Sequence, residues 1–531
     1  MTIGNLPKDI RSKPSRGGQI LLAYLPTTKL EHITNKAARR RTQANLFHAC
    51  MRQVLEPLER PGRDGMPMMS GDGITRRTHP IFAAYVSDYP EQVLVTCTKS
   101  GDCAVCLQPH SKLGDISHDY PSRDINAVLE VVAQVGSLSR AEYADACQGV
   151  SIKPVYQPFW ENLPYSDVFR SIMPDILHQL LQGVVKHLVS WIKTAYDLDE
   201  IDARCRRFPP NHNVRLFFKG ITKLEKLTGR EHADICRILL GLVIDMRLPG
   251  GMSSARLVRA VRALLDFVYL TQYPLHSGDT LDALEDALQR FHDNKEIFVD
   301  LGIRSDFNFP KLHFLRHFRP SIEFMGSADN FNTEYTERLH IDMAKEAYHA
   351  TNKKDEYEQM TVWLERKEKI LRHDRYIKWR ESGGRLPAEL SPLHQHHESH
   401  VRMTREPSAK AVSFYRLGAE YGASAFEECL STYIVQFNNP GASPATVRSL
   451  AETLCLGFQK VPVHHKAKFW ESDFPRYRIA SDEYDVVHAS PARFDKRGNT
   501  IPGRFDTTIV NLGTGTTVGV SGMSMHLSQL C

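Results

Sequence analysis

Apolar and polar positions divide the chain into a mixed N-terminal part, a long helical middle and a strand-rich end. Residues 19–25 (QILLAYL) form a compact apolar run of the kind a buried strand presents, whereas residues 35–56 carry apolar positions at helical spacing until Pro57, Pro61 and Gly62 end the pattern. A hairpin or strand pair is predicted within residues 66–89. There the run PIFAAYV (80–86) meets Ser87-Asp88-Tyr89-Pro90, a strand followed by a turn, which puts Asp88 at the strand's C-terminal tip. From residue 124 to residue 294 the apolar repeat takes the roughly 3.6-residue period of a helix, most clearly over residues 176–192, 233–247 and 255–273. An all-helical block therefore lies between two short α/β pieces. Residues 386–408, rich in Pro, His and Ser, read as a linker, residues 426–437 as a helix, and residues 484–488 and 505–510 as strands of a small β-rich C-terminal domain.

At 531 residues the chain exceeds one ordinary domain, and two or three units are expected. No apolar stretch approaches the roughly 18 residues that span a bilayer, and the N-terminus lacks a secretory apolar region, so a soluble intracellular protein is expected. Ten cysteines scattered along such a length read as core thiols, because a large core needs no disulfide framework. The net charge of +5 is unevenly placed. Residues 1–60 hold eleven Lys and Arg against four acids, +7, which leaves −2 for the remainder. Such a segment suits contacts to nucleic-acid phosphates, and a solvated helix surface accounts for it equally simply. Arg39-Arg40-Arg41 would also serve nuclear import.

Four constellations carry candidate chemistry. Cys103-x-x-Cys106 offers two thiolates to one Zn²⁺, half of the four ligands a structural site needs, and Cys97 is a possible further ligand or a core thiol. His313 and His317, four apart, share a helix face and could meet the same metal, although a chain with 24 histidines produces such pairs by chance. In residues 329–342, Asn332 or Thr333 is a plausible N-cap, Glu334 and Glu337 occupy the first turns of a helix, and Asp342 follows. The helix dipole stabilises acids there, and the same carboxylates could hold Mg²⁺. Asp175 and His178 lie one turn apart at a helix start opened by Pro174, either as a site or as a capped, partly buried terminus.

Taken in order, TIGNLPKDIR (2–11), NLFHAC (45–50), GDG (71–73), DYPEQ (88–92), PDILHQL (174–180), FPKLH (309–313) and TEYTERLH (333–340) resemble the transposases of the fungal Plavaka group, CACTA-like cut-and-paste DNA transposons. The C-terminal VPVHHKAKFW (461–470) and PGRFDTTIVN (502–511) resemble the tail domain of the same proteins, so the likeness covers essentially the whole chain. The resemblance implies an α+β/α fold: a ribonuclease-H-like core of the DDE type, interrupted by a large all-helical insertion before the final glutamate, plus the β-rich C-terminal domain. On that basis residues 1–123 are the first part of the core with the CxxC loop, 124–325 the insertion, 326–385 the final core helix, 386–408 the linker and 409–531 the C-terminal domain. It further implies that Asp88 is the second catalytic acid, that Glu337 is the third with Glu334 its nearest competitor, and that Cys103, Cys106, His313 and His317 bind a structural Zn²⁺. Asp175, His178 and Asp72 become possible neighbours of the site.

In such enzymes the acids hold a pair of Mg²⁺ or Mn²⁺ ions about 3.5–4 Å apart, one activating water or a 3′-hydroxyl and the other stabilising the leaving oxygen. Implied partners are transposon-end and target DNA and a possible second copy of the chain, in the nucleus. No residue here matches the family's first catalytic aspartate, since Met1 stands where that strand hairpin should be half complete, and residues 519–531 leave the family pattern. The expectation is an incomplete copy with impaired phosphodiester hydrolysis and strand transfer. The alternative is a non-catalytic, zinc-stabilised DNA-binding or structural protein derived from a transposase.

Overall fold

The computed structural model of the chain describes residues 1–11, 17–70, 72–209, 214–381, 383, 401–404, 406–470, 484–494, 498–511 and 523–527. They gather into two compact units, one of residues 1–204 and 220–387, the other of residues 205–219 and 388–531. Among the described residues no helix is long and apolar enough to cross a membrane.

In the first unit the helix predicted over residues 35–56 is Lys36–Leu55. Asn35 caps it, its Oδ1 accepting from the backbone N–H groups of Ala37 and Ala38 at 3.0 Å each. The strand expected at residues 19–25 is absent: the segment takes no regular secondary structure, and Ile20 and Leu22 are 58% and 50% exposed. An apolar run becomes a strand only where another strand offers its ladder. Here the anchors are a reciprocal pair of bonds, the Met1 ammonium to Ile20 O at 2.7 Å and Ile20 N–H to Met1 O at 2.8 Å, and Tyr24 OH donating to Met343 O at 2.5 Å.

The predicted hairpin forms as Met66–Met69 against Thr75–Thr78, antiparallel, with Met66 opposite Thr78. Gly71, part of the GDG motif, lies outside the described residues. Residues 80–86 are extended, but only Tyr85 finds a partner, a parallel bridge to Ile172 in which Tyr85 N–H donates to Ser171 O at 2.8 Å. Asp88 accordingly sits at the start of the next helix, Tyr89–Val95, as its N-cap.

The helical middle contains Ile125–Val132, Arg140–Gly149, a π-helical stretch Ile176–Val185 continuing into Lys186–Ala195, then Gly229–Val243, Ala255–Thr271 and Gly278–Asn294. Reciprocal capping fixes three of the starts, at Ser139 with Glu142, Thr228 with Glu231 and Ser277 with Thr280. Phe159, Trp160, Phe169 and Tyr143 pack with Cys103, Cys106 and Phe314 in one buried cluster. That cluster forms the wall behind the site.

The second unit is more helical than its sequence pattern suggests. A four-stranded antiparallel sheet in the order Arg504–Phe505, Tyr484–Ser490, Lys466–Trp470, Val401–Met403 is accompanied by helices Phe414–Tyr421, Phe426–Asn438 and Pro444–Thr453. Val412, Leu417, Tyr421, Ala423 and Val463 make its buried cluster. Val401–Met403 pairs with Lys466–Trp470 although it falls within the expected linker, whose residues 386–400 lie outside the described ones. In the tail, where residues 519–522 and 528–531 are also outside, Met523–Leu527 pairs with Thr507–Asn511.

Candidate metal centre and carboxylate cleft

The Cys103–Cys106 loop is shaped by Gly101, whose φ of +100° no side-chain-bearing residue adopts comfortably. Inside the loop the Val105 N–H points at Cys103 Sγ, 3.3 Å away, and Arg123 pins the turn by donating from Nε to Cys103 O at 3.0 Å. The facing ligands come from a distant segment. Pro310 opens a short helix ending in His313, a tighter 3-10 turn Phe314–His317 follows, and buried Phe314 anchors both histidines to the core.

Cys103 Sγ lies 3.3 Å from His317 Nε2, Cys106 Sγ 3.1 Å from His313 Nε2, and the two Nε2 atoms are 3.3 Å apart. All four donor atoms fall within 4.8 Å of one another. Zinc bonds of about 2.3 Å to sulfur and 2.0–2.1 Å to nitrogen, set tetrahedrally, require edges of ~3.3 Å for N···N and ~3.6 Å for S···N. The nitrogen edge matches and the sulfur edges are a few tenths of an ångström short. The cluster can therefore hold a metal such as zinc.

Two of the donors, Cys106 and His313, are chemically prepared for it. Hydrogen bonds from the Cys103 thiol and both imidazoles pull the Cys106 thiol well below its ordinary value, and burial keeps His313 toward its neutral, ligating form. His313 Nδ1 is buried without a partner, so the outer hydrogen bond that commonly orients a ligating histidine is missing at this position. Cys97 does not join the cluster. It is buried beside His48, with Sγ 3.4 Å from His48 Nε2, and burial raises its thiol, as befits a core residue.

Next to the metal centre, three helix starts are tied together by buried polar side chains. Asp88 Oδ1 accepts from Glu91 N–H at 3.1 Å, and the following residue, Tyr89, reaches the metal loop, its OH accepting from Gly101 N–H at 2.8 Å and donating to Asp102 O at 3.0 Å. Buried Gln92 donates to Ser87 O and Met173 O, and Gln179 in turn donates to Gln92 Oε1 at 3.0 Å, joining the Asp88 helix to the Asp175 helix.

Asp175, 0% exposed, accepts from His178 N–H (2.7 Å), His178 Nδ1 (2.8 Å), Thr333 N–H (2.9 Å) and Thr333 Oγ1 (2.7 Å). Burial would raise its pKa, but these donors outweigh it and hold the carboxyl below its usual range. His178 then presents Nε2 to Glu337 Oε1 at 3.4 Å. The Asp175 hydrogen bond, aided by the charges of Asp175, Glu337 and Asp88, keeps His178 above its ordinary value in spite of burial. Glu337 thus approaches the imidazole directly, whereas Asp88 reaches it only through its charge.

Lys311 closes the side facing the metal helix by donating to His178 O at 2.9 Å, and it also feels the charge of Asp88. This approach needs Gly183, where a Cβ would stand 2.8 Å from His178 O and 2.9 Å from Lys311 Cδ.

The remaining candidates are placed differently. Glu334 and Glu337 are both exposed; Glu334 Oε1 lies toward Gly229, whereas Glu337 Oε1 is 3.4 Å from His178 Nε2. Asp342 pairs with Arg338 at 2.9 Å, and Asp72 with Arg76 at 2.7 Å in the hairpin; no described interaction of either reaches the cleft. Thr333 begins the Glu334–His340 helix without a side-chain capping bond, because its hydroxyl is committed to Asp175.

The sequence reading missed Gln92, Gln179, Lys311 and Glu91. Glu91 accepts from Tyr85 OH at 2.5 Å, and burial raises its pKa. A buried polar residue one turn from a candidate acid, as Gln179 is from Asp175, was the available signal.

No curated protein matches the chain. The family model described as Plavaka transposase matches residues 1–192, a segment that contains Asp88, both cysteines of the metal centre, Asp175 and His178. Over residues 1–192 the chain is thus similar to the Plavaka transposases.

Proposed function

We propose that this is a DNA-binding protein of transposase type, with a ribonuclease-H-like core and a nuclear site of action, in which a Zn²⁺ bound by Cys103, Cys106, His313 and His317 braces a cleft built for metal-dependent phosphodiester chemistry. The observation that carries this reading is the chain of contacts Asp175–His178–Glu337 beside the Cys/His cluster, whose loop is attached to the Asp88 helix start through Tyr89. Divalent Mg²⁺ or Mn²⁺ held by Asp88 and Glu337 would supply activation of the attacking oxygen and stabilisation of the leaving one. Asp175 fixes the position of His178 and of the Glu337 helix start.

Cleavage by this chain alone is weak in this account. Two neighbouring carboxylates are already engaged, Asp175 by four donors and Glu91 by Tyr85, which leaves Asp88 and Glu337 to share the ions. A lost carboxylate ligand that costs ~4 kcal/mol in the transition state slows reaction about a thousandfold. The purified chain is expected to bind duplex DNA and to nick it no faster than its Asp88→Ala variant in Mg²⁺ or Mn²⁺. Efficient nicking abolished by Asp88→Ala would refute the impairment and make the chain a working nuclease. The non-catalytic alternative is favoured by the closed, buried character of the Cys/His cluster, and Mn²⁺ binding that is indifferent to Asp88→Ala would select it.

A further inference from the structure

The helix Glu356–Glu381 buries only Met360, and from residue 368 to residue 381 every side chain is exposed. A helix surrounded by water gains little from packing and relies on pairs along its own surface, here Lys369–Glu365, Arg372–Glu368 and Lys378–Asp374. Between Arg366 and Arg380 stand seven Lys and Arg against Glu368 and Asp374, a net charge of +5.

Three of these cations, Arg366, Lys369 and Arg380, share one helix face with His373 and Tyr376, at alternating steps of three and four; Lys367, Arg372, Arg375 and Lys378 lie on the other faces with both acids, and within residues 366–380 no Asp or Glu falls on the stripe. Tyr376 stacks on Trp379 with ring centroids 6.0 Å apart, and the Arg380 guanidinium lies 5.9 Å from the Tyr376 ring centre. Arg366 has no ion pair among the described residues, and the exposed Lys369 pair exchanges readily for a stronger anion. The stripe is ~21 Å long, which spans about six phosphates of one DNA strand.

We propose that this stripe docks the phosphate backbone of duplex DNA; the inference rests on the transposase reading of the cleft and adds a surface to it. Charge complementarity selects the partner. A membrane-surface helix would gather its apolar residues opposite the cations, whereas the exposed Ile370, Leu371, Ile377 and Trp379 are scattered around the axis.

The test compares two triple variants of the full chain, Arg366→Gln/Lys369→Gln/Arg380→Gln on the stripe and Lys367→Gln/Arg375→Gln/Lys378→Gln on other faces. Circular dichroism verifies that each folds. Fluorescence anisotropy with a labelled duplex of roughly 30 base pairs is followed between about 50 and 200 mM salt. The expected result is a salt slope reduced by about 2–3 for the stripe variant, at ~0.9 per lost phosphate contact, with at least ~tenfold weaker binding, and under ~threefold weakening for the control. Equal losses in both variants, or an unchanged slope in the stripe variant while the wild type binds, overturn the stripe and leave the transposase reading intact. No duplex binding by the wild type overturns both. Stripe-dependent binding to phosphatidylserine vesicles without duplex binding would assign the surface to a membrane and overturn the proposal.

Discussion

The Cys/His cluster and the carboxylate cleft lie side by side in one unit and differ in almost every physical respect. The cluster is closed: Cys103, Cys106 and His313 are at most 5% exposed, two donors are soft thiols, and all four donor atoms lie within 4.8 Å of one another. The carboxylate group is less enclosed, with Glu337 47% exposed although Asp175 is fully buried, and its donors are hard oxygens. A closed four-donor site stores folding free energy, whereas a site with free positions can admit water and substrate. Tyr89 and Lys311 connect them.

The largest effect should come from breaking the cluster. Structural zinc contributes apparent binding energies of about 10–16 kcal/mol in small zinc domains, and Cys106→Ser or exhaustive chelation is expected to abolish cooperative unfolding of the first unit. Urea denaturation followed by tryptophan fluorescence reads this, and an unchanged midpoint after chelation would show the cluster to be no staple.

Asp175→Asn comes next, at ~2–3 kcal/mol, because charged hydrogen bonds to Thr333 and His178 are lost in a buried place. The sign with pH follows from its lowered pKa. Its stabilisation is present above the ordinary value of 3.8 and is lost as pH falls through the lowered folded value, so wild type and variant should converge only below about pH 3.8. A gap that persists unchanged in strong acid would contradict this.

Gly183→Ala is expected to cost ~1–3 kcal/mol by forcing His178 O and Lys311 apart, and a neutral result would mean the backbone yields freely there. Glu337→Gln, half-exposed, should move stability by no more than ~0.5 kcal/mol while weakening Mn²⁺ binding. A large loss of stability would make Glu337 a structural residue.

Local signals were legible from the sequence and long-range ones were not. The Lys36–Leu55 helix could be read because Asn35 caps it and prolines end it, and each half of the metal cluster because thiols or imidazoles three or four apart share a side. Their meeting across 207 residues came from family resemblance and not from spacing. Residues 19–25 failed as a strand because an apolar run does not reveal whether another strand will pair with it. Thr333 could be seen as a cap candidate, but its bond to Asp175, 158 residues away, depends on tertiary packing, as does the Gln92–Gln179 bridge.

The central claim is that Asp88 and Glu337 form one metal-binding cleft on a zinc-held frame. Mn²⁺ affinity measured by electron paramagnetic resonance for wild type, Asp88→Asn, Glu337→Gln and the double variant tests it, with zinc content followed in parallel. Each single change is expected to weaken Mn²⁺ about tenfold or more, the double variant little further, and zinc to stay at about one per chain, since residues acting on one ion are not additive. Strictly additive losses, or Mn²⁺ affinity untouched by both changes, would place the two acids in separate sites and contradict the account.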